Sequence, residues 1–232
     1  MAIAYDNFSS GGTGYPALTL SHTIAGANDR ILVALYVCAG STDPAVVMAS
    51  ATYNGVSATG SFNITANKHS NSYSITAFYW LEAQLPASAG AYNLVGTPAS
   101  GFWNVADSCI SYTGVNQVAP VNASNSSVAG GTGASNVNIT TPADNSVIVD
   151  ASLRWAVSNA TMTPSSGQTK HAQIVLNPQA DMGVGDEAVT TTQAYNQGWT
   201  FASEYMWMSL AYAFAPAGGA VTPKYNMLGH NF

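Results

Sequence analysis

Short runs of β-branched, aromatic and small apolar residues recur along this 232-residue chain, and turn residues separate them. That rhythm limits the fold more than any single motif. Segments 3–8, 17–23, 30–38, 49–53, 61–65, 73–82, 91–95, 103–112, 136–140, 146–153, 172–176, 185–192, 199–201 and 205–214 read as strands. The turns between them include Gly11-Gly12, Asp43-Pro44, Asn54-Gly55, Gly101, Pro142-Ala143-Asp144-Asn145 and Ser165-Ser166-Gly167. No segment carries the apolar spacing of a three-turn amphipathic helix. The expectation is an all-β chain, an antiparallel two-sheet β-sandwich of jelly-roll type over residues 1–216, followed by a flexible joint and C-terminal arm over 217–232.

Alternation within strands predicts which faces are buried. Met206, Met208, Leu210, Tyr212 and Phe214 share one face, and the smaller Ser209, Ala211 and Ala213 share the other. Both faces of segment 30–38 are apolar, so it is expected to be central and covered on both sides. Segment 146–153 sets Val147, Val149, Ala151 and Leu153 against Ser146, Asp150 and Ser152, the pattern of a half-exposed strand. Gly11-Gly12-Thr13-Gly14 is echoed by Gly130-Gly131-Thr132-Gly133, and each precedes an alternating strand, an Asn/Asp turn and an apolar strand. The echo reads as two similar hairpin arms in one double-sheeted fold.

Only 7% of the residues are charged and the net charge is −6. An average soluble domain carries roughly 25% charge. The surface must therefore be built from Ser, Thr, Asn, Gly and Ala. With no basic cluster, neither nucleic acid nor an anionic membrane surface is an expected partner. The longest apolar run, 31–39, is far below the roughly 18 residues of a membrane span. The opening residues lack the basic and apolar regions of a signal peptide.

Motifs for chemistry are sparse. Glu82, Asp107, Asp150 and Glu204 lie in strand segments or, for Glu204, at the edge of one, without an acidic neighbour two residues away, the pattern of isolated structural carboxylates. Paired as in a glycosidase, they make glycan hydrolysis a low-ranking alternative. Asp181, Asp186 and Glu187 form the densest acidic stretch, beside glycines, and are the candidate ligands for Ca²⁺; no other cofactor is expected. His22, His69, His171 and His230 share no metal-ligand spacing. Phe78, Trp80 and Glu82 share a strand face, and with Trp103 they are the candidate carbohydrate-binding residues: a flat ring stacks on sugar C–H faces and a carboxylate takes hydroxyls. Cys38 and Cys109 fall in strands, either as a disulfide or as two buried thiols. Tyr225, Met227, Leu228 and Phe232 are candidate anchors of the C-terminal arm on a neighbouring subunit.

Several segments appear in an order that resembles a group of bacteriophage, prophage and secreted bacterial β-sandwich proteins. They are Leu18-Thr-Leu-Ser-His-Thr23, Asn28-Asp-Arg-Ile-Leu-Val-Ala34, Ala51-Thr-Tyr-Asn-Gly-Val56, Phe78-Tyr-Trp-Leu-Glu82 with Pro86-Ala-Ser-Ala-Gly90, Ser111-Tyr-Thr-Gly-Val115, Asn145-Ser-Val-Ile-Val149 and Ser209-Leu-Ala-Tyr-Ala-Phe-Ala-Pro216. The resemblance runs over roughly residues 3–216. It implies a lectin-like jelly roll of the kind carried on virions or cell-surface proteins, and it supplies no catalytic residues.

The expected function is a non-enzymatic structural protein of a virion surface: a head decoration, head fibre or tail-associated subunit. Its expected partners are other virion subunits or copies of itself in a homo-oligomer, and surface glycans. The alternative is a carbohydrate-binding, receptor-binding module.

Overall fold

The computed structural model describes residues 2–14, 18–41, 47–68, 71–99, 102–129, 133–141, 143–156, 160–202 and 206–218. Among them the only helical element is a 3-10 turn, Glu82–Gln84; the rest of the regular structure is antiparallel strand. The first half contains β1 (Ala4–Gly14), β2 (Leu18–Ile24), β3 (Ile31–Ser41), β4 (Met48–Tyr53), β5 (Val56–Ser57), β6 (Gly60–Lys68), β7 (Asn71–Leu81), β8 (Gly90–Pro98) and β9 (Phe102–Thr113). The second contains β10 (Val121–Ala129), β11 (Ala134–Thr140), β12 (Val147–Trp155), β13 (Thr163–Pro164), β14 (Thr169–Asn177), β15 (Ala180–Ala188), β16 (Ala194–Thr200) and β17 (Met206–Phe214).

These strands form four sheets. The first half builds an inner sheet, β1-β9-β3-β7-β6, and an outer sheet, β2-β8-β4-β5. The second half builds an inner sheet, β10-β17-β12-β15-β14, and an outer sheet, β11-β16-β13. The two orders are the same path walked twice: β1 answers to β10, β3 to β12, β9 to β17. Only the short β5 lacks a counterpart. One irregularity repeats as well: β1 slips register on β9 between Tyr5 and Asn7, and β10 slips on β17 between Val121 and Ala123.

The all-β, antiparallel sandwich expectation therefore holds, with a larger plan than two sheets. The Gly-Thr-Gly echo belongs to two complete sandwiches rather than two hairpin arms in one, although residues 130–132 lie outside the described residues.

Burial explains the stacking. Ile31, Val33, Leu35 and Val37 point into the same apolar cluster as Val147, Val149, Ala151 and Leu153, so the two inner sheets pack face to face. On its other side β3 turns Leu32, Ala34, Tyr36 and Cys38 toward Leu20, Ala51, Tyr53 and Leu94 of the outer sheet. Segment 30–38 is thus covered on both faces, as expected.

Segment 146–153 is not half-exposed. Every residue of β12 is buried. Its polar face lies under the second outer sheet, where Val137 and Ile139 pack on Ile148, Ala211 and Ala213. Ser146, Asp150, Ser152 and Arg154 on that face all have protein partners.

Candidate functional site

Each described carboxylate from the strand segments is held in place. Glu82 follows β7 and takes Arg30 in a fork: the backbone N–H of Arg30 donates to Oε2 at 3.0 Å, Nε donates to Oε2 at 2.9 Å, and Nη2 donates to Oε1. Hydrogen bonding to this guanidinium lowers the carboxyl pKa. The pair ties the end of β7 to the start of β3. Asp107 on β9 sits beneath Gly11, where a Cβ would lie 2.0 Å from its Oδ1. The register slip between Ser10 and Thr13 falls at this point. Burial pushes Asp107 up to about 6, against the lowering effect of backbone hydrogen bonds from its own N–H and that of Gly11.

Asp150 on β12 accepts the indole N–H of Trp199 and, at 2.6 Å, the amide of Gln168. Trp199 reaches it because β15 carries glycines beneath the ring. A Cβ at Gly183 would lie 3.1 Å from Trp199 Cε3, and one at Gly185 3.2 Å from Cζ2. Burial raises Asp150 to about 7, and the two hydrogen bonds only partly offset it. Glu204 lies outside the described residues.

The acidic stretch does not converge on one point. Asp181 and Glu187 face the second outer sheet, where Asp181 pairs with the fully buried Arg154 and Glu187 accepts Gln197 Nε2 at 2.6 Å. Asp186 points the other way, into the seam between the inner sheets. There it accepts the Tyr112 hydroxyl at 2.6 Å and lies 3.0 Å from His171 Nε2. Alternation along β15 sends these side chains to opposite faces, so the expected Ca²⁺ ligand set is not assembled. Among the described residues no three His, Cys, Asp or Glu cluster as metal ligands.

His22 is a core histidine. Its Nδ1 pairs with Ser9 Oγ and its Nε2 with Ser111 Oγ, each at 3.0 Å. Burial lowers it to about 4, with Asp6 opposing.

The expected sugar-binding aromatics are corrected in the same way. Phe78 and Trp80 are buried in the first sandwich, and Trp80 donates its indole N–H to the Val56 carbonyl at 2.9 Å. Neither ring has a face open for stacking. Trp103 lies in β9, with its side chain outside the described residues, as are Tyr225, Met227, Leu228 and Phe232 of the arm.

Cys38 and Cys109 are free and buried. Cys109 pairs with Ala34 across the ladder, and Cys38 with Val105. Four strand positions separate them, roughly 13 Å at the rise of a strand, beyond a disulfide's reach.

The residues that do surround an open space were not singled out by the sequence. A cleft of about 460 Å³ lies on the first outer sheet, lined by Thr52, Asn54 and Gly55 on one side and by Ala91, Tyr92, Asn93 and Val95 of β8 on the other. Asn54-Gly55 is the two-residue turn of the β4–β5 hairpin, with both residues at positive φ, 50° and 78°. The legible signals were this turn and the exposed positions of β8; their meeting depends on β4 pairing with β8.

Among the described residues, the solvent faces of the outer sheets carry no charged side chain. β2 exposes Thr19, Ser21 and Thr23; β11 exposes Asn136, Asn138 and Thr140, with Asn196 of β16 opposite Asn138. No family model matches the chain, and neither a curated protein nor a solved structure matches it.

Proposed function

We propose that this protein is a non-enzymatic structural subunit of a virion surface, a decoration, fibre or tail-associated protein. Its two outer faces meet neighbouring subunits or solvent, and its C-terminal arm helps attach it. The observation that carries this reading is the division of polar chemistry. Asp150, Asp181 and Asp186 are committed to interior partners and Glu82 to Arg30, while the outer sheets present hydroxyls and amides without charge. A surface of that kind packs against copies of itself without desolvating ions. In each half, most successive strands cross between paired sheets, which supports the jelly-roll type. The resemblance to phage and prophage proteins points to the particle.

The test is solution mass and negative-stain imaging of the full chain, the Asn138→Lys variant and a chain ending at Gly218. The full chain is expected to form defined oligomers. Asn138→Lys should weaken them by placing a charge on the second outer face, and loss of the arm should weaken them independently. A full chain that stays monomeric at every concentration overturns the assembly reading.

A further inference from the structure

Three of the four edges of the inner sheets are blunted, and the fourth, β6, is not. Edge strand β1 loses register on β9 at two places and lies against β2, where the Asn7 amide donates to the Thr23 carbonyl at 3.0 Å. Strand β14 loses register twice on β15 and is stacked on β1 through His171. Strand β10 slips once on β17, and its Asn125 amide donates to the Asn138 carbonyl of β11 at 2.7 Å. The nine residues of β6 instead pair with β7 without a break, from Gly60 opposite Tyr79 to Lys68 opposite Asn71. Among the described residues no strand pairs with its other side. It contains no proline, and its one charged residue is the last.

An unguarded edge is a template for another strand. The residues of β6 select which strand. Ser61, Asn63 and Thr65 are exposed, while Phe62, Ile64 and Ala66 are half-buried against the seam. With a second β6 laid antiparallel beside the first and centred on Ile64, the whole strand finds a partner. Ile64 meets its own copy, Phe62 meets Ala66 and Asn63 meets Thr65. Apolar residues then stand opposite apolar ones on the seam face, and neutral polar residues opposite one another on the other face. A large ring falls opposite a small methyl group. Lys68 falls opposite Gly60, so no like charges oppose each other. An antiparallel pair of identical strands is also what a two-fold axis generates, and such a contact closes at two copies.

We propose that β6 is a self-pairing edge: two copies of the chain join β6 to β6 about a two-fold axis at Ile64, and the five-stranded inner sheet of each continues into that of the other. The repeat confines this contact to the first sandwich. The counterpart of β6 in the second is β14, and its stack with β1 and its register slips guard that edge. The contact is separate from the outer faces and from the C-terminal arm, and it does not require either.

The experiment is the solution mass of the full chain over a concentration series, beside two double variants at exposed positions. Asn63→Lys with Thr65→Lys sets like charges directly across the pairing, twice in each dimer, and should weaken dimerisation roughly tenfold or more. Asn63→Glu with Thr65→Lys sets opposite charges across it and should restore dimerisation to that of the parent. Thermal unfolding of both variants checks that the fold is intact. Asn138→Lys and the chain ending at Gly218 disturb the outer face and the arm, and should reduce larger oligomers no further than this dimer. Those two therefore keep failure of the assembly reading distinct from failure of this one. A full chain without a dimer, a dimer unmoved by the first double variant in its folded state, or a dimer weakened equally by the second overturns the proposal.

Discussion

The His171 ring lies flat against that of Tyr5, 5.4 Å between centroids and 5° between planes, although the two residues belong to different sandwiches. Phe8 stacks on the same imidazole at 5.1 Å, and Asp186 meets its Nε2. Strand β1 of the first half is thereby fastened to β14 of the second at the margin of the shared apolar seam.

That contact should couple the two halves energetically. Tyr5 is 52% exposed, so Tyr5→Ala alone is expected to cost little beyond the lost stack. His171→Ala loses two stacking partners and leaves Asp186 with only Tyr112, a cost of about 1–3 kcal/mol. In a double-mutant cycle read by urea unfolding, Tyr5→Ala and His171→Ala should show a coupling of about 0.5–1.5 kcal/mol. Simple additivity would mean that the stack does not bind the sandwiches together.

Asp150 makes stability depend on pH in a defined direction. Its carboxyl titrates near 7 in the folded chain and at an ordinary 3.8 when unfolded. Between those values the folded chain holds a proton that the unfolded chain has released. Stability from this group is thus full below about 4 and is lost as pH rises through 7. Asp150→Asn removes the term. The stability of the variant relative to the parent should climb between pH 4 and 7, by at most about 1.4 kcal/mol per pH unit, and be level outside that window. Parallel curves across the window would refute the assignment. His22, lowered to about 4, acts oppositely, withdrawing stability as pH falls from 6.5 to 4, and is left in place in both proteins.

The two thiols should be inert in the native chain. Burial pushes Cys38 up to about 12 and Cys109 well above its ordinary value, so neither supplies thiolate near neutral pH. Iodoacetamide followed by intact mass is expected to add nothing to the folded protein and two groups after denaturation. Native modification of either residue would contradict the described packing.

The strand-by-strand reading succeeds where one residue's environment follows from its neighbours. Asn54-Gly55 announces a hairpin because left-handed backbone suits those two residues. Segment 30–38 announces a central strand because both alternating faces are apolar. The face pattern of β17 is legible for the same reason: its even positions enter the seam and Ala211 and Ala213 the smaller outer cluster. Strand β10 escapes the alternation rule. Val-Asn-Ala-Ser-Asn-Ser-Ser-Val-Ala has little apolar content, and its place comes from backbone pairing with β17 at the sheet edge.

By itself, the sequence determined the strand-rich class, the charge-poor surface and the turns at Asn54-Gly55, Asp144-Asn145 and Ser166-Gly167, since those follow from local conformation and composition; Gly11-Gly12, read as a turn, lies inside β1. Tertiary structure alone decided that there are two sandwiches, that Asp150 and Arg154 are interior, that Phe78 and Trp80 are core, and that Asn54 meets Asn93 and Tyr92 at a cleft. Each of these depends on strand pairings between residues distant in the chain. Such pairings are chosen by the summed burial of whole sheet faces, a quantity that no short stretch of sequence contains.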